Sequence, residues 1–297
     1  MRQAEDLAVG HQVPVRGRKL WMDRSGDGKP AVVFVPGAGS VGLDFLLVHE
    51  QVAQFTTSVL YDRAGTGWSD DTHLPRSADE VTDELRALLR GVEIPAPYLL
   101  VGHSLGGVYV QRFAQRFPRE VAGLLLLDPA HEDWDLYQPE YLRLASNRSA
   151  EMQLPEVSDE LLGQIRASFD SMLASFPAPI RRQLIDKRLS PERLFTGFQE
   201  GGKLLDDLDD LRNGGARPDV PLIVLSGTDV DSAQMMFQPE EWIREQIRGS
   251  ERLFDAIAAA APRGQHRSLP DASHATIPMA RPDAVATAVK ELLAQVH

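Results

Sequence analysis

Tyr98-Leu-Leu-Val-Gly-His-Ser104-Leu-Gly-Gly107 decides how the rest of the chain is read. An apolar run from Tyr98 to Val101 stops at Gly102, and a new pattern begins beyond Ser104 with Val108, Tyr109 and Phe113. That sequence of patterns predicts a buried strand, a very tight turn and a helix. Gly102 and Gly106 flank Ser104 at i−2 and i+2, the G-x-S-x-G spacing of a nucleophile elbow. A serine held at a strained strand-to-helix turn needs neighbours without Cβ atoms, because the two backbones pass very close there. The helix that follows aims its free N–H groups at the same spot and favours negative charge beside the hydroxyl. Five residues alone would also fit a glycine-rich turn in an ordinary α/β protein. The strand before and the helix after supply the context that makes Ser104 the candidate nucleophile.

Working outward, Ala31-Val-Val-Phe-Val35 is a β-branched run suited to a central strand and ends in the glycine-rich Pro36-Gly-Ala-Gly-Ser40. Ser58-Val-Leu-Tyr61 repeats the pattern and ends in Asp62-Arg-Ala-Gly-Thr-Gly-Trp-Ser69. Ser77-Ala-Asp-Glu80 is a capping box, and Val81, Leu85, Leu88 and Leu89 behind it form one helical face. Val121 to Leu127 is a further all-apolar strand, closing with Asp128-Pro129. Residues 11–23 read as two short edge strands around Gly17.

The alternation then breaks. From His131 to about Pro218 there are helical patches punctuated by prolines, and no convincing buried strand. Strand character resumes at Val220-Pro-Leu-Ile-Val-Leu225, followed by a helical region at about 240–261, a last strand at about 265–269 and a helical stripe after Pro282. The expected fold is α/β: a mostly parallel central sheet with helices on both faces, plus an inserted helical cap. Residues 1–130 and 218–297 would make the core domain and 131–217 the cap.

Composition narrows the function classes. A length of 297 residues suits one core domain with a sizeable insertion, and 43% apolar with 25% charged residues is ordinary for a soluble protein. The net charge of −12 argues against nucleic acid or an anionic membrane as partner, since both demand a basic patch. With no cysteine, disulfides, thiolate metal sites and cysteine nucleophiles are excluded. Residues 1–7 lack the apolar core of a signal peptide and no stretch approaches a membrane span, so a cytoplasmic location is the default expectation.

Four stretches together resemble the α/β-hydrolase superfamily: Pro36-Gly-Ala-Gly-Ser40, Asp62 to Ser69, Gly102-His-Ser-Leu-Gly106, and Ser273-His274 before the final helix. The resemblance covers nearly all of the chain outside the cap. Pro36-Gly37 stands where members usually carry His-Gly. The resemblance implies a chain order of serine, acid and histidine, which makes His274 the base for Ser104. It implies an oxyanion hole from the backbone N–H groups of Ala38 and Leu105, with Gly39 a weaker alternative to Ala38.

Three carboxylates compete for the acid. Most members place it after the strand that ends here at Ser226-Gly227, where Val230 holds the usual position between Asp229 and Asp231. Others, haloalkane dehalogenases among them, use the end of the preceding strand, where Asp128 stands. Asp128 ranks first, Asp231 second and Asp229 third, although a strand-end aspartate often only caps a turn.

Among the other histidines, His103 is expected to pack away from the serine and His131 could line the pocket. His11, His49, His73, His266 and His297 are expected at the surface. Trp134, Tyr137, Tyr141, Phe169, Met172, Leu173 and Phe176 would suit an apolar pocket or the cap's own core.

The expected activity is cofactor-free and metal-free serine hydrolysis of an ester or related acyl bond in a small, apolar acyl substrate. A proline-iminopeptidase-like peptidase and a carbon–carbon bond hydrolase are the alternatives within the enzyme class. A non-catalytic small-molecule-binding protein is the alternative outside it.

Overall fold

A computed structural model describes residues 9–144, 157–231, 234–236 and 238–296. Eight strands form a single sheet: β1 (His11–Val15), β2 (Arg18–Ser25), β3 (Val32–Val35), β4 (Ser58–Tyr61), β5 (Tyr98–His103), β6 (Val121–Leu127), β7 (Leu222–Gly227) and β8 (Gly264–Leu269). Their spatial order is β1-β2-β4-β3-β5-β6-β7-β8. β1 and β2 form an antiparallel hairpin and β2 runs antiparallel to β4, while every pairing from β4 to β8 is parallel. The helices are α1 (Leu46–Val52), α2 (Ala78–Gly91), α3 (Leu105–Arg116), α4 (Trp134–Tyr137), α5 (Asp159–Met172), α6 (Ala178–Arg188), α7 (Thr196–Gly201), α8 (Leu204–Asn213), α9 (Glu240–Ala260), α10 (Ile277–Ala280) and α11 (Pro282–Leu293).

The continuous apolar runs follow from burial on both faces of the sheet. Successive side chains of a strand point to opposite faces, so one strand feeds two cores. Leu100, Leu124 and Leu126 join the cluster that packs Leu85, Val108 and Phe113 of α2 and α3. Their neighbours Leu99, Val101, Leu125 and Leu127 join the opposite cluster, with Val48 of α1 and Val285 and Val289 of α11. Both halves of the capping box form at the start of α2: Ser77 Oγ accepts from Glu80 N, and Glu80 Oε2 accepts from Ser77 N at 2.9 Å.

Within 131–217 the described residues form helices and turns, with no strand; residues 145–156 of this span lie outside the description. These helices are not all remote from the sheet. Leu208 and Leu211 of α8 join the α2–α3 core. Asp207 Oδ1 accepts the Ala78 amide at 2.7 Å, so α8 also caps α2 from outside. Of the aromatic and apolar residues singled out in this span, Leu173 and Phe176 are buried in the α1–α11 core. Trp134 and Tyr137 pack against the other core, and Tyr141 is exposed. No helix among the described residues is long and apolar enough to cross a membrane.

Two histidines expected at the surface are instead enclosed. His49 is buried because both ring nitrogens are satisfied, Nε2 by Asp23 at 2.8 Å and Nδ1 by Ser58 Oγ at 2.7 Å. The His266 ring is held likewise by Ser226 Oγ and Asp255, both at 2.8 Å. His11 and His73 are exposed, and His297 lies outside the described residues.

The close approach of strand and helix at the elbow is severe. A Cβ on Gly106 would lie 2.0 Å from the Val35 carbonyl oxygen, and one on Gly102 would lie 2.5 Å from that of Gly106. Neither neighbour is a side chain that can swing aside. Gly106→Ala is therefore expected to cost at least the ~1–3 kcal/mol of an overpacked core, read as a lowered denaturant midpoint. An unchanged midpoint would mean the elbow is looser than these distances state.

Candidate functional site

Ser104 sits between β5 and α3 with φ 52° and ψ −119°, a conformation that non-glycine residues rarely adopt. Neighbouring strands and turns hold it there. The Ser104 amide donates to Leu127 O at 3.0 Å, and the Ser104 carbonyl accepts from Gly107 and Ala130 at 2.9 and 3.1 Å. Gly37 packs so tightly behind it that an added Cβ would lie 3.1 Å from Ser104 Cβ.

His274 Nε2 lies 3.1 Å from Ser104 Oγ. Its ring is 40% exposed, at the mouth of a cleft. His103 does not simply pack away from the site. Its Nε2–H donates to the His274 carbonyl at 2.8 Å and the two rings lie 5.1 Å apart. Burial, helped by the neighbouring imidazole, pushes the His103 pKa down to about 3, which keeps it a neutral donor. His131, by contrast, is buried against Glu132 at 3.3 Å and is not part of the cleft wall.

The three candidate acids part company here. Asp128 follows β6 with φ 42°, is 8% exposed, and its Oδ2 lies 3.7 Å from His274 Nδ1 while accepting the Gly227 amide at 3.0 Å. Aspartate tolerates this left-handed backbone better than most residues. The 3.7 Å separation is an ion-pair distance; catalytic hydrogen bonds are commonly long without substrate and tighten with it. Asp231 is buried and braces the His274 loop, its Oδ2 accepting from Ala275 N at 3.2 Å and Ser273 Oγ at 3.3 Å. Asp229 is exposed and accepts the Val230 amide at 2.8 Å. Partial desolvation at the cleft mouth disfavours charge on His274, but the charges of Asp128 and Asp231 outweigh it. The His274 pKa is therefore held above its ordinary 6.5.

Ala38 lines the cleft beside Ser104, and Leu105 opens α3. Among the described residues, neither amide donates a hydrogen bond within the protein. The Gly39 amide, by contrast, is already engaged: it donates to Glu200 Oε2 at 2.8 Å.

That contact exposes two residues the sequence reading missed as site residues. The Arg63 guanidinium, 1% exposed, pairs with Glu200 through Nε–Oε1 at 2.7 Å and Nη2–Oε2 at 2.9 Å. It also donates to the carbonyls of Pro36 and Gly37, both at 2.7 Å. Burial works against the charge on Arg63, but Glu200 more than offsets it and holds the pKa above its ordinary value. Arg63 belongs to the Asp62–Ser69 motif, whose first residue shapes its own loop: the buried Asp62 carboxylate accepts from Gly42 N at 2.7 Å and Trp68 N at 2.9 Å. Glu200 lies on short α7, with no local pattern to mark it.

Ser104 and His274 open onto a cleft of about 520 Å³. The Pro36–Ser40 loop forms one wall, and α5, α6 and the segment through α7 form the other, with Phe169 and Met172 supplying apolar surface.

With this geometry in hand, comparison with known proteins is informative. A family model described as the alpha/beta hydrolase family matches residues 32–288. The chain belongs to the alpha/beta hydrolase family. The uncharacterized protein YbdG of Bacillus subtilis (strain 168) is 29% identical over 121 residues, 40% of this chain and 37% of that one. A second protein of the same organism, YqjL, is 33% identical over 37% of this chain and 44% of its own. The chain thus matches less than half the length of these curated relatives. In fold it is similar to a thermophilic esterase from Thermogutta terrifontis, with 19% identity, TM-score 0.62, and coverage of 97% of this chain and 99% of that one. It is also similar to a Vigna radiata epoxide hydrolase, with 12% identity, TM-score 0.71, and coverage of 96% and 98%.

The buried ion pair yields a test of its own. Glu200→Ala leaves the Arg63 charge buried and unpaired, which typically costs about 3–5 kcal/mol. Denaturant unfolding should show that loss, and Arg63→Met with Glu200→Leu should recover much of it. A negligible loss in the single variant would show that Arg63 is not desolvated as described.

Proposed function

We propose that the protein is a serine hydrolase that cleaves a carboxylic ester or related acyl bond through an acyl-enzyme. The observation that carries this reading is the 3.1 Å contact between Ser104 Oγ and His274 Nε2 at the mouth of the cleft. A serine hydroxyl is a weak nucleophile at neutral pH and needs a base at this distance. His274 takes the proton as Ser104 attacks the carbonyl, then returns it to the leaving group. Asp128 holds Nδ1–H and stabilises the imidazolium, and the amides of Ala38 and Leu105 receive the oxyanion. Within residues 131–217, the helices α5, α6 and α7 act as a lid over this chemistry, and their apolar wall residues receive the acyl group.

Epoxide hydrolases share the fold, but a serine at the elbow favours acyl transfer over the chemistry of an aspartate nucleophile. The same groups would serve a peptidase or a carbon–carbon bond hydrolase. Assaying esters beside an N-terminal prolyl anilide and a 1,5-dioxo compound distinguishes those alternatives from the main reading.

Ser104→Ala and His274→Ala are each expected to remove nearly all esterase turnover without unfolding the chain. The double variant should lose little more than either single one, because the pair acts as a unit. Labelling of Ser104 by a fluorophosphonate probe checks the nucleophile independently. A folded single variant with near wild-type turnover would overturn the mechanism.

The pH profile tests the acid. His274 works as a base only when neutral, so kcat/KM should rise with pH through a pKa above 6.5. Asp128→Asn removes the charge that raises it. That variant should shift the limb to lower pH and reduce kcat by up to about 10⁴-fold through the wrong tautomer. Asp231→Asn should act far more weakly. The opposite ranking would reassign the acid.

A further inference from the structure

The charge of the cleft wall runs against that of the whole protein. The chain carries 43 acidic and 31 basic residues, yet the described cleft wall contains no aspartate or glutamate. It does contain Lys187, Arg188 and Arg193.

Two of these cations are compensated. Arg188 is paired with the buried carboxylate of Asp44. Arg193 is paired with Asp71 at 2.6 Å and donates to the carbonyls of Gly67 and Ser69, each at 3.2 Å. Lys187 is different. It stands at the end of α6, half-buried, and makes no hydrogen bond or ion pair with any described residue. Burial and the charge of Arg193 hold its pKa below the ordinary value, only partly offset by the charges of Asp71, Glu192 and Asp62, so an anion in the cleft would stabilise its ammonium.

We propose that the cleft takes a substrate with a carboxylate remote from the scissile bond, and that Lys187 is the counter-ion that selects it. This rests on the hydrolase reading and names the substrate class for the same site. One cation without a contact partner among the described residues matches one negative charge, which fits a carboxylate better than a phosphate monoester carrying nearly two. An ammonium is a point charge without the fork that favours bidentate anions. Ile165, Phe169, Leu189 and Leu194 line the same cleft and suit the apolar segment between the two ends of such a molecule.

The test compares matched substrate pairs in the wild type, Lys187→Gln and Lys187→Arg. The p-nitrophenyl hemi-ester of adipate against p-nitrophenyl hexanoate places the charge on the acyl side. Butanoyl esters of 6-hydroxyhexanoate and of hexanol place it on the alcohol side. In at least one series the charged member should be preferred in kcat/KM, mainly through KM. Lys187→Gln should reduce that preference about 10- to 100-fold, the range for a hydrogen bond to a charged group. Lys187→Arg should keep most of it, and added salt should weaken it. A preference that is absent in both series, or unmoved by Lys187→Gln, overturns the proposal.

Binding separates this outcome from failure of the hydrolase reading. Calorimetry measures monomethyl adipate against methyl hexanoate on the Ser104→Ala protein, with and without Lys187→Gln. Lys187-dependent binding without turnover of any ester in the wild type would sink the hydrolase reading and keep the anion subsite. Turnover indifferent to Lys187, with binding equally indifferent, would do the reverse.

Discussion

The buried pair of Arg63 and Glu200 is the constraint on which the site depends. Two charges removed from water are tolerable only when their hydrogen-bonding capacity is filled, and here the surrounding backbone fills it. Arg63 takes the carbonyls of Pro36 and Gly37, and Glu200 takes the Gly39 amide. The loop that carries Ala38 is therefore clamped on both sides of that residue. Besides its own turn bond from Ser40 N to Gly37 O at 3.2 Å, three of its backbone groups are held by the ion pair. Gly37, Ala38 and Gly39 have no polar side chains of their own, so much of the stiffness comes from the charges beneath them.

Backbone strain is also found at this end of the sheet. Ser104 and Asp128 both adopt positive φ, at the ends of the neighbouring strands β5 and β6. Residues in such conformations persist only where the surroundings over-determine them. The amide of Ser104 reaches across to Leu127 O, and that of Asp128 to Leu225 O at 2.9 Å. Each strand end thus fixes its neighbour's turn. The side chains that meet near His274 are set by the parallel ladder rather than by flexible loops.

Much of this architecture was legible in the sequence, because its causes are local. Gly102 and Gly106 advertise a close backbone approach at fixed offsets, and Leu124 to Leu127 advertise a strand covered on both faces. Asp128 was legible as the residue directly after such a strand. Glu200 was not, because its partner lies 137 residues away and its own helix has no pattern that singles it out. His49 was misread for a similar reason: Asp23 and Ser58, which justify its burial, lie on two other elements. Lys187 carries no mark in the sequence, because the cleft it lines is assembled from distant elements.

The ion pair also limits how the cleft could open. Arg188, Arg193 and Glu200 each tie the stretch from the end of α6 through α7 to a residue outside it, the buried Asp44 and Arg63 and the exposed Asp71. Swinging that stretch away would strand a buried guanidinium and unpin the Pro36–Ser40 loop in the same movement. On the opposite rim, α5 has no fully buried residue and contributes Ile165, Phe169 and Met172 to the wall. That helix is joined to α6 by the surface pairs Arg166–Asp186 and Arg181–Asp170. A movement of α5 would break neither the Arg63–Glu200 pair nor the contacts of that pair with the Pro36–Ser40 loop.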